Sequence, residues 1–276
     1  MNQKGYSAGG AKPEHFKSVD VESGGIKPEN AKAASTKAGT GYRLYADLRY
    51  LPGTEELQKM DVYVPDGVAP TEGWPAVIYV HGGGFSAGDK ADEGPSLDFA
   101  RLALDHGFAM ASVNYRLTGI QDVGPEIEDL RAALRWLAEK AGDFGINRDK
   151  LAYFGPSAGA GLTSVEAARA YLEGGQRVIG VIGISGAYHV TKTADYLGAG
   201  APPFYIAHGT KDSLVGFGVS EDFCTALEKA GVPHVLVAAE GAEHCRSVDD
   251  PHIYKILEEM GKLDEAYIWL RKIAES

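Results

Sequence analysis

Residues 151–159 read Leu-Ala-Tyr-Phe-Gly-Pro-Ser-Ala-Gly. An apolar run ends at Phe154, and apolar residues at helical spacing, Leu162 and Val165, begin shortly after Ser157. This order predicts a strand, a sharp turn and a helix, with the hydroxyl of Ser157 presented at the turn. A serine held in this way is a candidate nucleophile once a base removes its proton.

The pattern Gly-x-Ser-x-Gly occurs three times in the chain, so its context has to select the nucleophile. Ser7 has neither a strand before it nor a helix after it and is predicted to be a linker residue. Ser86 follows a strand that ends at Val80, but the residues after it do not open an apolar helix. Ser157 has both neighbours and is therefore the predicted nucleophile.

A second glycine-rich string, His81-Gly82-Gly83-Gly84, ends the apolar run 76–80. Glycines leave backbone N–H groups accessible, and such groups stabilise the negative charge that develops on a carbonyl oxygen under attack. The two strings together predict acyl transfer by a serine nucleophile, with ester hydrolysis as the foremost reaction.

Strand-like and helix-like segments alternate from Tyr42 onward. Strands are predicted at 42–51, 57–64, 76–80, 108–113, 151–154, 178–184, 204–207 and 235–238. Helices are predicted at 126–141, 158–172, 220–230 and 252–274. This alternation predicts the α/β class, with a mostly parallel, doubly wound sheet and an antiparallel strand pair at its N-terminal side. Ligands bind such sheets at the carboxyl ends of the strands.

Composition bounds the function. The 276 residues include 38 acidic and 27 basic side chains, and the net charge of −11 argues against a nucleic-acid partner. No apolar stretch is long enough for a membrane span. Neither a His-Glu-x-x-His string nor paired cysteines occur, so no metal and no cofactor are expected. Residues 1–40 are predicted to be a flexible extension or partial cover, and residues 41–276 the catalytic domain.

A serine nucleophile needs a base and an acid that orients the base. His244 lies just past the last predicted strand and Asp212 past the strand before it, so both loops reach the sheet edge where Ser157 is expected. Glu240 and Glu243 are rival acids, but they lie so close to His244 in sequence that the chain would have to fold back. His81 is predicted to brace the glycine loop. The other histidines have no partner signal: His15, His106, His189, His208, His234 and His252.

Several ordered strings carry a family resemblance. They are residues 81–85 with 88–90, 112–117 (Ser-Val-Asn-Tyr-Arg-Leu), 128–137 and 203–212. Over about residues 42–275 the chain resembles bacterial carboxylesterases with an HGGG oxyanion loop. These are α/β-hydrolases of the feruloyl/acetyl-xylan-esterase-like type, related to the hormone-sensitive-lipase-like esterases. The His-Gly-x-x-Asp string around Asp212 is more like the feruloyl/acetyl esterase branch.

The resemblance implies an α/β-hydrolase fold, a Ser157–Asp212–His244 triad and an oxyanion hole. The oxyanion hole would consist of the N–H groups of Gly83, Gly84 and Ala158. The chain departs from the family at Pro156, where an acidic or polar residue is common, and at Ala160, where a second glycine often follows. These departures bear on rate and substrate range more than on reaction type.

The segments between the three triad residues are too short for a large lid, which predicts a shallow cleft. The expected partners are small-molecule, short-acyl or aryl esters, or polysaccharide-linked esters. Candidate pocket walls are aromatic residues near strand ends: Phe85, Tyr115, Tyr188, Tyr196 and Phe217.

Some alternatives stay open on the sequence. No residue separates ester from amide, so an amidase, formamidase or peptidase on the same fold is the rival enzyme. A ligand-binding protein with a decayed triad is the rival from another class. Cys224 and Cys245 are either bridged or free. No signal peptide is visible, and the compartment stays open: cytoplasmic for the sequence as written, or secreted or periplasmic if a leader has been removed.

Overall fold

The central element of the protein is one mixed β-sheet. The computed structural model describes residues 32–36, 39–53, 55–92, 94–244 and 253–276. In chain order, the strands within these ranges are β1 (Lys32–Ser35), β2 (Gly41–Arg49), β3 (Lys59–Pro65), β4 (Trp74–Val80), β5 (Ala109–Val113), β6 (Ile146–Pro156), β7 (Val181–Ile184), β8 (Phe204–Gly209) and β9 (His234–Ala239). Across the sheet their order is β1-β2-β3-β5-β4-β6-β7-β8-β9.

The sheet has an antiparallel part and a parallel part. β1, β2, β3 and β5 pair antiparallel in that order. From β5 through β4, β6, β7 and β8 to β9, every pairing is parallel. The predicted mostly parallel sheet with an antiparallel N-terminal pair is therefore confirmed. β1 falls within residues 1–40, the segment predicted as an extension or cover, most of which lies outside the described ranges.

Helices cover both faces of the sheet. They are α1 (Pro95–Asp105), α2 (Gly124–Lys140), α3 (Ala158–Glu173), the single turn α4 (Tyr188–Thr191), α5 (Gly218–Lys229), α6 (Ile253–Glu259) and α7 (Lys262–Ala274). Buried side chains of α2, α3 and α5 form one apolar layer, and those of α1, α6 and α7 form the other. In the part of the chain that the structure describes, none of these helices has the length and hydropathy needed to cross a bilayer.

Side-chain alternation along the strands builds both layers at once. On β4, Ile78 packs into the layer under α3, while its neighbours Val77 and Tyr79 pack into the opposite layer. Successive residues of a strand point to opposite faces, so a strand covered on both faces reads as a continuous apolar run. This is why the central strands are visible in the sequence.

The predicted single helix over 252–274 is wrong. The chain forms α6 and α7, which are separated at Gly261, a residue with a left-handed φ of 65°. The Gly261 N–H donates to the Glu258 carbonyl at 2.9 Å, which closes α6 before α7 begins. Glycine adopts this conformation without the steric cost that other residues incur.

Candidate active site

Ser157 stands between β6 and α3 in a backbone conformation that L-amino acids rarely adopt. Its φ is 52° and its ψ is −119°. Such a residue carries about 1–3 kcal/mol of strain, which persists only where the surroundings impose it. Here the Ser157 N–H donates to the Ile184 carbonyl at 2.8 Å, and the Ser157 carbonyl accepts the N–H groups of Gly161 and Ala187. The turn is therefore held from both sides.

The two glycines around this serine are required by backbone packing. A Cβ on Gly155 would lie 2.5 Å from the carbonyl carbon of Gly159. A Cβ on Gly159 would collide with the carbonyl oxygens of Val80 and His81. Strand, turn and helix therefore meet at a spacing that only glycine permits.

Pro156, the departure next to the serine, fits the end of β6. It pairs in register with Ile184 of β7. The N–H that bonds the Ile184 carbonyl comes from Ser157, not from residue 156. The missing N–H of proline therefore removes no ladder bond toward β7.

The structure brings Ser157, His244 and Asp212 into one hydrogen-bonded line. His244 Nε2 lies 3.0 Å from Ser157 Oγ, and His244 Nδ1 lies 2.6 Å from Asp212 Oδ2. A carboxylate only accepts, so Nδ1 donates to it and the lone pair of Nε2 is left to accept the serine proton. All three residues are buried. The loops that follow β6, β8 and β9 supply one residue each, as the sequence predicts.

The carboxylate of Asp212 is held in its ionised form. Burial pushes its pKa upward, but hydrogen bonds from His208, His244 and the Val215 N–H outweigh burial and hold the pKa well below the usual range. Its Oδ1 accepts the N–H groups of Leu214 at 3.0 Å and Val215 at 2.8 Å. Asp212 is therefore an anion throughout the pH range in which a histidine ordinarily titrates.

The glycine loop, residues 81–92 after β4, lies beside the serine. A Cβ on Gly82 would be 3.4 Å from the Cβ of Ser157. Gly83 and Gly84 have positive φ angles of 116° and 62°, and both line the cavity above the serine with Ala158. Ala158 is the first residue of α3, where backbone N–H groups have no partner within the helix. The three predicted oxyanion donors thus border one space.

Gly83→Ala is expected to lower kcat by about 10²–10³-fold with a smaller change in KM. The added Cβ would collide with the Ala87 carbonyl, and alanine is strained at this φ, so the loop has to move and carry its N–H groups away. Steady-state hydrolysis of p-nitrophenyl acetate measures both constants. Gly174→Ala is the matched control: Gly174 also has a positive φ, has open space around it and ends α3. It should lose stability without losing kcat, and equal losses in both variants would refute the oxyanion role.

A buried polar network ties the glycine loop to the sheet. The ammonium of Lys90 lies 2.9 Å from Asp47 Oδ1 and 2.8 Å from Asp61 Oδ1. The Lys90 N–H donates to Asn114 Oδ1 at 2.5 Å, and the Lys90 carbonyl accepts the Ser112 hydroxyl at 2.7 Å. The end of the loop is therefore fixed by side chains from β2, β3 and the end of β5.

The predicted pocket aromatics lie in different places. Phe85 lines a cavity of about 830 Å³ that contains Ser157 and His244. Tyr115 lies beneath the glycine loop, where its ring stacks on His81 and its hydroxyl donates to the His81 carbonyl at 2.8 Å. The remaining aromatics pack on other side chains: Tyr188 stacks on Phe223, Tyr196 lies against Arg169, and Phe217 packs edge-on against His208.

The competing residues lie away from this line of hydrogen bonds. Ser86 is exposed on the glycine loop, where its N–H donates to the Gly83 carbonyl at 3.2 Å. Glu243 accepts hydrogen bonds from the N–H and hydroxyl of Ser213, and Glu240 is exposed. Ser7 and Cys245 lie outside the described residues, whereas Cys224 is buried on α5.

Two features of the site are absent from the predictions above. One is the Lys90 network, and the other is His208, which contacts Asp212. The string His-Gly-x-x-Asp indicates the His208 contact, because it places this imidazole at the end of the strand that precedes Asp212. Within the described ranges, no cluster of three or more His, Cys, Asp or Glu side chains is arranged to hold a metal ion.

Comparisons with known proteins agree with this architecture. The family described as BD-FAE matches residues 60–179, which include the glycine loop and the serine turn. Esterase LipQ of Mycobacterium tuberculosis is 25% identical over 241 residues, covering 71% of this chain and 56% of LipQ. Carboxylesterase NlhH of the same species is 36% identical over 106 residues, covering 38% of this chain and 32% of NlhH. The chain therefore spans only part of these curated relatives.

A solved structure extends the likeness to the rest of the fold. A truncated carbohydrate esterase from gut microbiota superimposes with a TM-score of 0.72 at 15% identity, covering 92% of this chain and 100% of that protein. The sheet order, the serine turn and these matches show that the chain has the α/β-hydrolase fold. Its sequence is similar to that of the BD-FAE family over residues 60–179 and to those of the esterases LipQ and NlhH.

Proposed function

We propose that this α/β-hydrolase hydrolyses carboxylic esters with short acyl or aryl groups, using Ser157 as its nucleophile. The observation that carries the proposal is the continuous hydrogen-bonded line from Ser157 Oγ through His244 to Asp212, at 3.0 and 2.6 Å. It is supported by the esterase names of LipQ and NlhH.

In the proposed reaction Ser157 Oγ attacks the ester carbonyl carbon while its proton passes to His244 Nε2. The carbonyl oxygen becomes an anion that accepts hydrogen bonds from the N–H groups of Gly83, Gly84 and Ala158. The ionised Asp212 stabilises the imidazolium. His244 then gives its proton to the leaving alcohol, and water repeats the sequence on the acyl-enzyme.

The cavity favours small substrates. Its apolar lining includes aliphatic side chains of modest size, Leu97, Val190 and Val215, beside the ring of Phe85. The connection between β7 and β8 holds only α4 and a short 3-10 turn (Thr193–Tyr196). Nothing in that connection resembles a long apolar cover for an extended acyl chain. Polysaccharide-linked esters stay in the substrate range, since one structural neighbour is a carbohydrate esterase.

A panel of p-nitrophenyl esters tests the proposal. We expect kcat/KM to be highest for acetate and butyrate and to fall steeply by decanoate, because a long chain finds no enclosed apolar surface. An aryl formamide and an acetylated oligosaccharide belong in the same panel. Faster cleavage of the formamide would favour an amidase. Absence of hydrolysis together with absence of a fluorophosphonate adduct on the folded protein would favour a binding protein.

A further inference from the structure

A second imidazole touches the acid of the triad. His208 belongs to β8, and its side chain is fully buried. Its Nε2 lies 2.8 Å from the Val215 carbonyl oxygen and 3.2 Å from Asp212 Oδ2. Its Nδ1 lies 2.6 Å from the hydroxyl of Ser220 on α5. The proposed reaction gives this histidine no task.

The partners of His208 fix where its protons are. The Val215 carbonyl only accepts, so Nε2 carries a hydrogen and shares it between this oxygen and Asp212. In the neutral ring, Nδ1 then accepts the hydroxyl proton of Ser220. The acceptors at Nε2 therefore select the tautomer, and the Ser220 hydroxyl satisfies Nδ1 in that tautomer.

Asp212 Oδ2 consequently accepts from two imidazoles, His244 at 2.6 Å and His208 at 3.2 Å. Because this oxygen accepts a hydrogen bond from His208, it attracts the proton on His244 less strongly. His208 also restrains Asp212 through Val215. It donates to the Val215 carbonyl, and the Val215 N–H donates to Asp212 Oδ1 at 2.8 Å. The donor of His208 therefore acts on both the charge and the orientation of the acid.

We propose that His208 is a positioning residue that fixes Asp212 and weakens its hold on the His244 proton, so that the base stays unprotonated to lower pH. The proposal rests on the proposed function, in which His244 must accept a proton from Ser157. Other titratable side chains lie around the triad. His81, Asp92 and His189 line the same cavity as His244. Glu243 precedes His244 in the chain and accepts hydrogen bonds from Ser213. These side chains are the same in every variant compared.

Three variants separate this role from packing. His208→Phe keeps a buried ring and removes the donor, whereas His208→Gln keeps an N–H donor of similar reach. Ser220→Ala leaves the ring in place and removes the hydroxyl that satisfies its Nδ1. The His244 ring titration is followed by NMR with labelled histidine, which needs no substrate. The acid limb of kcat/KM for p-nitrophenyl acetate is measured in parallel.

We expect His208→Phe to move the His244 titration midpoint and the acid limb upward by about one pH unit and to lower kcat/KM about ten-fold. Ser220→Ala should move the titration midpoint and the acid limb in the same direction by a smaller amount. In His208→Gln both should stay close to their values in the parent protein. Unchanged His244 titration in Ser220→Ala and in any folded His208→Phe would overturn the proposal. If the parent protein does not hydrolyse esters but the His244 titration is shifted in the variants, the proposed function alone is refuted.

Discussion

Ser157→Ala should abolish ester hydrolysis, lowering kcat by about 10⁴–10⁶-fold, the range that loss of a serine nucleophile costs in other hydrolases. The hydroxyl oxygen that would form the acyl-enzyme is lost, while His244 and the glycine loop stay in place. Hydrolysis of p-nitrophenyl acetate and labelling by a fluorophosphonate measure the two consequences. Ser86→Ala is the control, because Ser86 is exposed and belongs to the same motif pattern; it should keep most of the activity.

The strain at the serine turn gives this experiment a second arm. Ser157→Gly should be as inactive as Ser157→Ala but more stable than it by about 1 kcal/mol. Glycine relieves the strain of φ 52°, and this gain exceeds its entropic cost in the unfolded chain. Urea unfolding compares the two variants. Substantial activity in either variant would remove Ser157 from the mechanism, and equal stability would show that the turn is not strained.

Much of the fold follows from the sequence because its signals are local. The central strands are covered on both faces and read as apolar runs, as β4 and β5 do. β1 carries no such signal. Its residues, Lys-Ala-Ala-Ser, are all exposed, and the strand is held by backbone pairing with β2 at the sheet edge. A strand without a buried face leaves no hydrophobic pattern to detect.

The positions of the candidate triad could likewise be predicted from chain order. Parallel strands place their carboxyl ends at one edge of the sheet, so residues just past β6, β8 and β9 meet there. The surroundings of these residues could not be predicted in this way. Tyr115 follows a strand end, as a pocket residue would, yet it is buried and stacks on His81. Only the packing of a distant loop distinguishes the two positions.

Lys90 is the clearest case of information that sequence alone does not carry. Lysine is usually a surface residue. Lys90 is buried because its ammonium pairs with Asp47 of β2 and Asp61 of β3. Asp61 in turn depends on the lysine. Burial raises the pKa of the Asp61 carboxyl, and the ammonium of Lys90 offsets part of that increase. Without the lysine, the Asp61 carboxylate would be a buried ion without a counterion.

Lys90→Met is therefore expected to lower the free energy of unfolding by about 3–5 kcal/mol, measured by urea denaturation. It should also lower kcat, because the glycine loop loses its attachment to Asp61 and Asp47. Lys150→Met is the surface control: Lys150 pairs with Glu72 at 2.8 Å, but this pair is solvent-exposed and should contribute little measurable stability.

The pH dependence of this loss tests its cause. In Lys90→Met the folded-state pKa of Asp61 rises further above its unfolded value, so the folded protein binds a proton that the unfolded chain releases. Stability then falls as pH rises through that window, and the deficit should be larger at about pH 8 than at about pH 5. Adding Asp61→Asn removes the stranded charge and should restore part of the stability. A loss that is independent of pH and unrelieved by Asp61→Asn would mean that Lys90 contributes through packing of its alkyl chain.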